Sequence, residues 1–280
     1  MARLVGFISN RPDLGNRAIE HEARHLVVRN KPDIVPGWGV GFYQNGEILL
    51  KRRPVDDRPE ITVADMIKDL RADLLLAHVR VGTVGGSRTE NTHPFRYRQW
   101  LFAHTGTIEH FPKLRSRMAD SLPEFLQRDV RGDTDSEILF HLFLSFLHDA
   151  GQLDRPAVDP ATASKALKSC VSLVDRLCAE EGIGPSAMNI LVSSTEYLIA
   201  AHGGGASRMA YRVYRGRNDF ERLFGEGEIG RMRLPDFAQS QLSMVASDFE
   251  DDAMPPEWTP VQGRAIVTFT RVDEPSIETI

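Results

Sequence analysis

The sequence predicts a layered α+β fold in which sheets pack face to face with helices outside them. Three observations carry that expectation: many short β-rich apolar runs, a smaller set of segments with helical periodicity, and an order along the chain of strands, then helices, then strands. Strands are expected at Leu4–Ile8, Gly39–Tyr43, Glu47–Leu50, Leu74–Val79 and Leu101–His104, and again at Asn189–Ser193, Tyr197–Ala201, Met209–Tyr214, Leu242–Ala246 and Ala265–Thr270. Asn45-Gly46 supplies the positive φ angles of a tight hairpin, so the strands on either side of it are antiparallel. Helices are expected at Val63–Arg71, Pro112–Ala119, Thr134–Ala150 and Ala161–Glu181. The third carries Leu139, Leu142, Phe143, Phe146 and Leu147 on one face, with Thr134 and Glu137 spaced as a capping box. Gly151–Pro160, with two prolines, is the best linker. A long helix and further strands follow it, so the expectation is one domain over residues 1–280.

Composition narrows the function. With 41% hydrophobic residues the chain can bury an extensive core, and 34 Lys and Arg against 39 Asp and Glu leave a formal charge of −5. That balance gives no general attraction to nucleic acid or anionic membranes. The opening MARLVGFISN has neither a signal-peptide h-region nor the length of a membrane span, so a cytoplasmic location is expected. Cys170 and Cys178 lie in a helical stretch without CxxC spacing and read as small core residues. The histidines of the motif region, His78, His93 and His104, fall on separate segments, so no metal and no cofactor are expected. Gly203-Gly204-Gly205 lacks the Lys-Ser/Thr that would complete a phosphate loop and reads as a turn.

The chemistry concentrates in Ala77–Ile108, AHVRVGTVGGSRTENTHPFRYRQWLFAHTGTI. Arg80 ends an apolar strand and is followed by Gly82, Thr83, Gly85 and Gly86, which sets a cationic fork beside open backbone and suits a carboxylate. His104-Thr105-Gly106 ends a second strand, where Gly106 can offer an N–H to a carbonyl oxygen. Asp133 and Asp135 begin a helix, where a carboxylate is favoured and can receive an ammonium group. Taken singly, Arg80 reads as a surface ion pair, Asp135 as a helix-end charge, and His78, His93 and His104 as satisfied histidines in a sheet. Together they describe a pocket for an amino acid with a side-chain amide.

The opening M-x-R-L-x-G-F, Pro36-Gly37-Trp38-Gly39-Val40-Gly41, His78-Val79-Arg80 with Thr83, Glu90-Asn91-Thr92-His93-Pro94-Phe95, Trp100, His104-x-Gly106 and Thr134-Asp135-Ser136-Glu137 form an ordered set over roughly residues 1–150. That set resembles the class II glutamine amidotransferases of the N-terminal-nucleophile hydrolase superfamily, and most nearly their stand-alone members acting on glutamine or γ-glutamyl amides. VASDFEDDAMPPEW and the Gly263–Phe269 strand fit more loosely. The resemblance implies a four-layer αββα sandwich of mainly antiparallel sheets. It also implies that Arg80 and Thr83 bind the substrate carboxylate, Asp135 its α-amine, and Gly106 one side of the oxyanion.

Two positions depart from the family pattern. The family nucleophile is a cysteine after the initiator Met, and here that position is Ala2. Removal of Met1 would leave an amine able to act as a base near pH 8, but a methyl group forms no acyl intermediate. The family's second oxyanion donor is an Asn, here Thr105, and loss of one such donor costs about 3–4 kcal/mol of transition-state stabilisation. Ser9 lies about 23 Å from residue 2 along an extended strand at about 3.3 Å per residue and cannot stand in. Ala2 could be a replaced cysteine, but the second change at Thr105 favours natural degeneration. The expected function is binding of glutamine or a γ-glutamyl compound with little or no hydrolysis. The rivals are an active amidohydrolase using water and a structural or regulatory subunit. Any ammonia acceptor would be a separate partner chain.

Overall fold

The computed structural model describes residues 2–29, 36–82, 84–205, 208–225, 239–249 and 254–280. The first part of the chain forms β1 (Arg3–Ser9), α1 (Leu14–His21), β2 (Val27–Arg29), β3 (Gly37–Gln44), β4 (Glu47–Arg53), β5 (Glu60–Thr62), α2 (Val63–Ile67) and β6 (Leu74–Arg80). The middle forms β7 (Phe95–Tyr97), β8 (Trp100–Gly106), α3 (Phe111–Asp120), α4 (Glu124–Asp129), α5 (Asp135–Asp149) and α6 (Pro160–Glu180). The last part forms β9 (Met188–Ser193), β10 (Leu198–His202), β11 (Met209–Arg215), α7 (Gly216–Phe224), β12 (Gln241–Ser247), β13 (Thr259–Pro260), β14 (Ala265–Phe269) and β15 (Ser276–Thr279).

Two antiparallel sheets dominate. One runs β13-β11-β12-β1-β6-β3-β4 and the other β15-β14-β10-β9-β8-β7. Strand alternation divides their side chains into three cores. Leu4, Ile8, Leu74, Leu76, Leu101, Ala103, Leu191 and Leu198 pack between the sheets. Val5, Phe7, Leu75 and Ala77 point outward from the first sheet to meet Leu14, Ile19 and Met66 of α1 and α2. Trp100 and Phe102 point outward from the second sheet to meet Phe140 and Phe143 of α5 and Leu167 and Val171 of α6. The order helix, sheet, sheet, helix is the αββα sandwich that the resemblance implied. The hairpin turns where Asn45-Gly46 placed it, with Asn45 at φ 52°, Gly46 at φ 79° and Gln44 opposite Glu47.

Every expected strand and helix forms, with shifts at the ends. The helix expected over Val63–Arg71 stops at Ile67, because Asn16 donates from Nδ2 to the carbonyls of Ile67 (3.2 Å) and Leu70 (2.6 Å) and satisfies the turn that ends it. The capping box at α5 is only half formed. Thr134 Oγ1 accepts from Glu137 N at 3.2 Å, but the Glu137 carboxylate turns to Arg131 N (3.0 Å) and Gly132 N (2.7 Å). It therefore ties the preceding loop to the helix. Gly151–Pro160 joins α5 to α6, which share one core; Asp159 caps α6 by accepting from Ala161 N and Thr162 N, and Pro160 occupies its first turn. Cys170 and Cys178 are buried in α6, and burial pushes both thiols up. No helix among the described residues is long and apolar enough to cross a membrane.

Glu22, just past α1, holds the outer layer to the sheet. Its Oε1 accepts from Arg212 Nη1 (2.6 Å) and the Tyr214 hydroxyl (2.7 Å), and its Oε2 from Trp258 Nε1 (3.1 Å), with both members of the ion pair buried. Replacing Glu22 with Ala strands the Arg212 charge away from water. The expected loss of unfolding free energy is about 3–5 kcal/mol, measured by urea denaturation. A loss under about 1 kcal/mol would show that Arg212 is hydrated in the variant.

Candidate functional site

The site is built where β1 begins. β1 pairs with β6 in the register Arg3 opposite Val79, so the next position on each strand sets Ala2 beside Arg80. Leu4 and Leu76 face the other sheet, and by alternation so do Ala2, His78 and Arg80. From across, Thr105 continues the inward row of Leu101 and Ala103. Ala2, Arg80, Thr105, Gly106 and Asp135 line one cleft of about 40 Å³. Thr83 lies outside the described residues.

Arg80 is buried, and its Nη2 donates to the carbonyls of Val84 (2.7 Å) and Gly85 (3.0 Å) in the loop that follows. Gly85 is required there: its φ is 73°, and a Cβ would come within 2.6 Å of Asp133 Oδ1. Asp135 is held from two sides, its Oδ2 accepting from Ile108 N (2.9 Å) and its Oδ1 from Ser136 N (2.8 Å). Ser136 Oγ also donates to Oδ1 at 3.3 Å, so the lone-pair capacity left for a further donor is on Oδ2. Asp133, its neighbour in the sequence pattern, instead accepts from Asn91 Nδ2 (2.6 Å) and does not line the cleft. Gly106 adopts φ 119°, where a Cβ would lie 2.3 Å from the Ala187 carbonyl. The Thr105 hydroxyl lies 3.4 Å from Ser247 Oγ, which also accepts from Leu4 N at 3.2 Å.

The histidines correct the expectation of satisfied rings. Both ring nitrogens of His78, both of His93 and Nε2 of His104 are buried without a hydrogen-bond partner among the described residues. Only His104 Nδ1 is engaged, 2.9 Å from Ser136 Oγ. The His104 backbone approaches His78 without reaching hydrogen-bond geometry. The His78 and His93 rings lie 4.2 Å apart, and Gly39 makes room for them, since a Cβ there would sit 2.1 Å from the His93 carbonyl. Burial first, then the neighbouring His104 and Arg80, pushes His78 down to about 3. Burial likewise holds His93 well below the usual imidazole range and lowers His104, against a pull from Asp135 that favours its charged form. Among the described residues no group of three or more His, Cys, Asp or Glu is arranged to hold a metal. Sequence reasoning missed Ser136 and Ser247 as site residues, although both fall inside motifs that carried the resemblance.

These rings make stability depend on pH in one direction. Their folded values lie below the unfolded imidazole value of about 6.5, so the unfolded chain takes up protons first on acidification. Stability is full above about pH 6.5 and erodes toward about pH 3, by up to about 1.4 kcal/mol per pH unit for each histidine. Urea midpoints from pH 7 to pH 4 measure this. A flat profile would mean that the rings find proton-accepting partners on acidification.

Comparison with known proteins agrees with this geometry. A probable glutamine amidotransferase of Saccharomyces cerevisiae is 29% identical over 46% of the chain and 38% of its own length. An uncharacterised protein of Methanocaldococcus jannaschii is 27% identical over 71% of the chain and 49% of its own length. The chain thus matches half or less of these curated relatives. Among solved structures, a glutamine aminotransferase class-II domain protein from Silicibacter pomeroyi superposes with a TM-score of 0.56 at 18% identity, covering 99% of this chain and 98% of that one. Glutamine phosphoribosylpyrophosphate amidotransferase from B. subtilis superposes with the same score at 13% identity, over 99% of this chain and 49% of that one. At these identities the structural likeness speaks for the fold, while the family model for class-II glutamine amidotransferases matches residues 1–222. The chain belongs to the class II glutamine amidotransferases.

Proposed function

We propose that this protein binds glutamine or a γ-glutamyl compound and carries out little or no amide hydrolysis. One observation supports the reading above all: a methyl group, Ala2, stands in the register beside Arg80, at the head of a cleft that also holds Asp135 and Gly106. In this reading the Arg80 donors other than Nη2 take the ligand carboxylate, with Thr83 assisting, and Asp135 takes the α-amine. The Gly106 N–H and the Thr105 hydroxyl face the amide carbonyl. Ser247 Oγ can donate to Thr105 Oγ1, which frees the threonine proton for the ligand oxygen. The missing step is covalent. Attack on the amide carbon requires a lone pair on residue 2 that becomes a bond as the amine leaves, and the Ala2 side chain has none.

A specific observation also favours a structural or regulatory subunit. The cleft holds about 40 Å³, room for one or two waters at about 30 Å³ each. Glutamine is larger than that space and enters only if the cleft widens.

The unaltered protein is expected to release no measurable ammonia from glutamine and to bind glutamine in calorimetry. Binding is expected to be lost on Arg80→Ala. With Met1 removed, Ala2→Cys restores weak release, and Ala2→Cys with Thr105→Asn raises it by roughly 10²–10³-fold, the usual worth of one oxyanion donor. Ammonia release by the unaltered chain would overturn the reading, and absence of glutamine binding would favour the structural subunit.

A further inference from the structure

A second cavity lies toward β10 and β11, on the side of the cleft away from the strand that carries Arg80. In the first sheet β1 sits between β6, which carries Arg80, and β12, with β11 one strand further out. In the second sheet β8, which carries Thr105, is followed by β9 and then β10. Both sheets step in the same direction. Met209 on β11 pairs with Ser247 on β12, while His202 on β10 pairs with Asn189 on β9, which in turn pairs with Thr105. Met209 and His202 both line a cavity of about 340 Å³ together with Phe249, Met254 and Val261. Thr105 lines the small cleft, and Ser247, 3.4 Å from its hydroxyl, is the β12 residue opposite Met209 of the cavity lining.

The lining has a definite chemistry. It is mostly apolar, and its volume is over twice that of an engineered apolar cavity of about 150 Å³ that takes benzene. Its polar lining residues are His202 and Arg208, and the orientation of the first is preset. Asn189 Nδ2 donates to the Arg208 carbonyl (3.2 Å), so Asn189 Oδ1 is the acceptor for His202 Nδ1–H at 2.7 Å. Burial lowers the His202 value, so the ring is neutral and keeps an acceptor lone pair on Nε2.

We infer that this cavity is a subsite for the group carried on the amide nitrogen, so that the preferred ligands are γ-glutamyl amides of apolar amines rather than free glutamine. The inference rests on the proposed reading of the cleft and extends it. With the glutamyl part held at Arg80 and Asp135 and the amide at Ala2, the nitrogen substituent leaves across Thr105 and Ser247 toward Met209 and His202. Free glutamine has only hydrogens there and leaves the apolar lining unfilled.

Calorimetry with L-glutamine and with L-γ-glutamyl anilide tests this on the unaltered chain. The anilide is expected to bind roughly 10- to 100-fold more tightly, as burying an aromatic ring would give. Met254→Trp and Val261→Phe fill the cavity from two different segments. Each is expected to abolish the anilide advantage while glutamine affinity stays unchanged, which also shows that the variant is folded. Arg80→Ala is expected to lose both ligands. Glutamine binding with no anilide advantage would overturn the subsite and leave the proposed function standing. Failure of both ligands to bind the unaltered chain would overturn both, and loss of both ligands in both filled variants would overturn the subsite as a separate space.

Discussion

The antiparallel pairing of β1 with β6 is the interaction on which the site depends. A strand has a side-chain period of two, so a slip of one residue would turn Ala2 out of the cleft and put Arg3 in its place. The register is held by burial on both faces. Leu4 and Ile8 lie between the sheets while Val5 and Phe7 face the helices, all of them fully or almost fully buried. At about 1.5–3 kcal/mol for each such side chain, a slip would forfeit more than a small domain has to spare. Arg3 adds a second lock by donating to the Ser247 carbonyl at 3.1 Å and the Val27 carbonyl at 3.2 Å. Gly6 lets the sheets close, because a Cβ there would come within 2.9 Å of Leu191.

This close packing explains the electrostatics of the cleft. His78 and Arg80 project from one strand into the space between the sheets, with His93 against His78 and His104 nearby. Burial disfavours a charged ring in so dry a place, and Arg80 adds to that at His78 and His93, so the imidazoles stay neutral. Their unpaired nitrogens are a cost that folding does not recover locally. A ligand with hydrogen-bonding groups could supply the partners that the fold does not, which accords with the proposed binding function.

The sandwich was legible because its strands are continuous apolar runs and its long helices carry clear periodicity. Short or polar elements were not. α1 buries Leu14, Gly15, Ala18 and Ile19, but Gly15 and Asn16 are poor helix formers and conceal the pattern. α7 buries only Phe220 and Phe224, four residues apart in an otherwise charged segment. β2, β5, β7 and β13 are two or three residues long and are set by their neighbours. The residues of the candidate cleft could be read because Arg80, Gly106 and Asp135 lie at element ends marked by glycine or a helix cap. The hydrogen bond from Leu4 N to Ser247 Oγ spans 243 positions, and nothing in the local pattern announces that β12 flanks β1. The state of the histidines was hidden for the same reason, since whether a ring finds a partner depends on which strand lies opposite.

The two departures from the family pattern meet at one point in space. Ala2 immediately precedes β1 and Thr105 lies next to the end of β8, and both line the one cleft, with Ser247 at the end of β12 3.4 Å from the Thr105 hydroxyl. A carboxamide at position 105 would reach further into the cleft than the threonine hydroxyl, which instead lies near Ser247. Once residue 2 forms no tetrahedral intermediate, a donor aimed at its oxyanion gives no catalytic advantage. In the proposed reading Arg80 and Asp135 take parts of an amino acid whose charge does not change during amide hydrolysis, so their value for binding does not depend on the nucleophile. Departure from the family pattern at residues 2 and 105, with Arg80 and Asp135 kept, is therefore the combination that the proposed binding function requires.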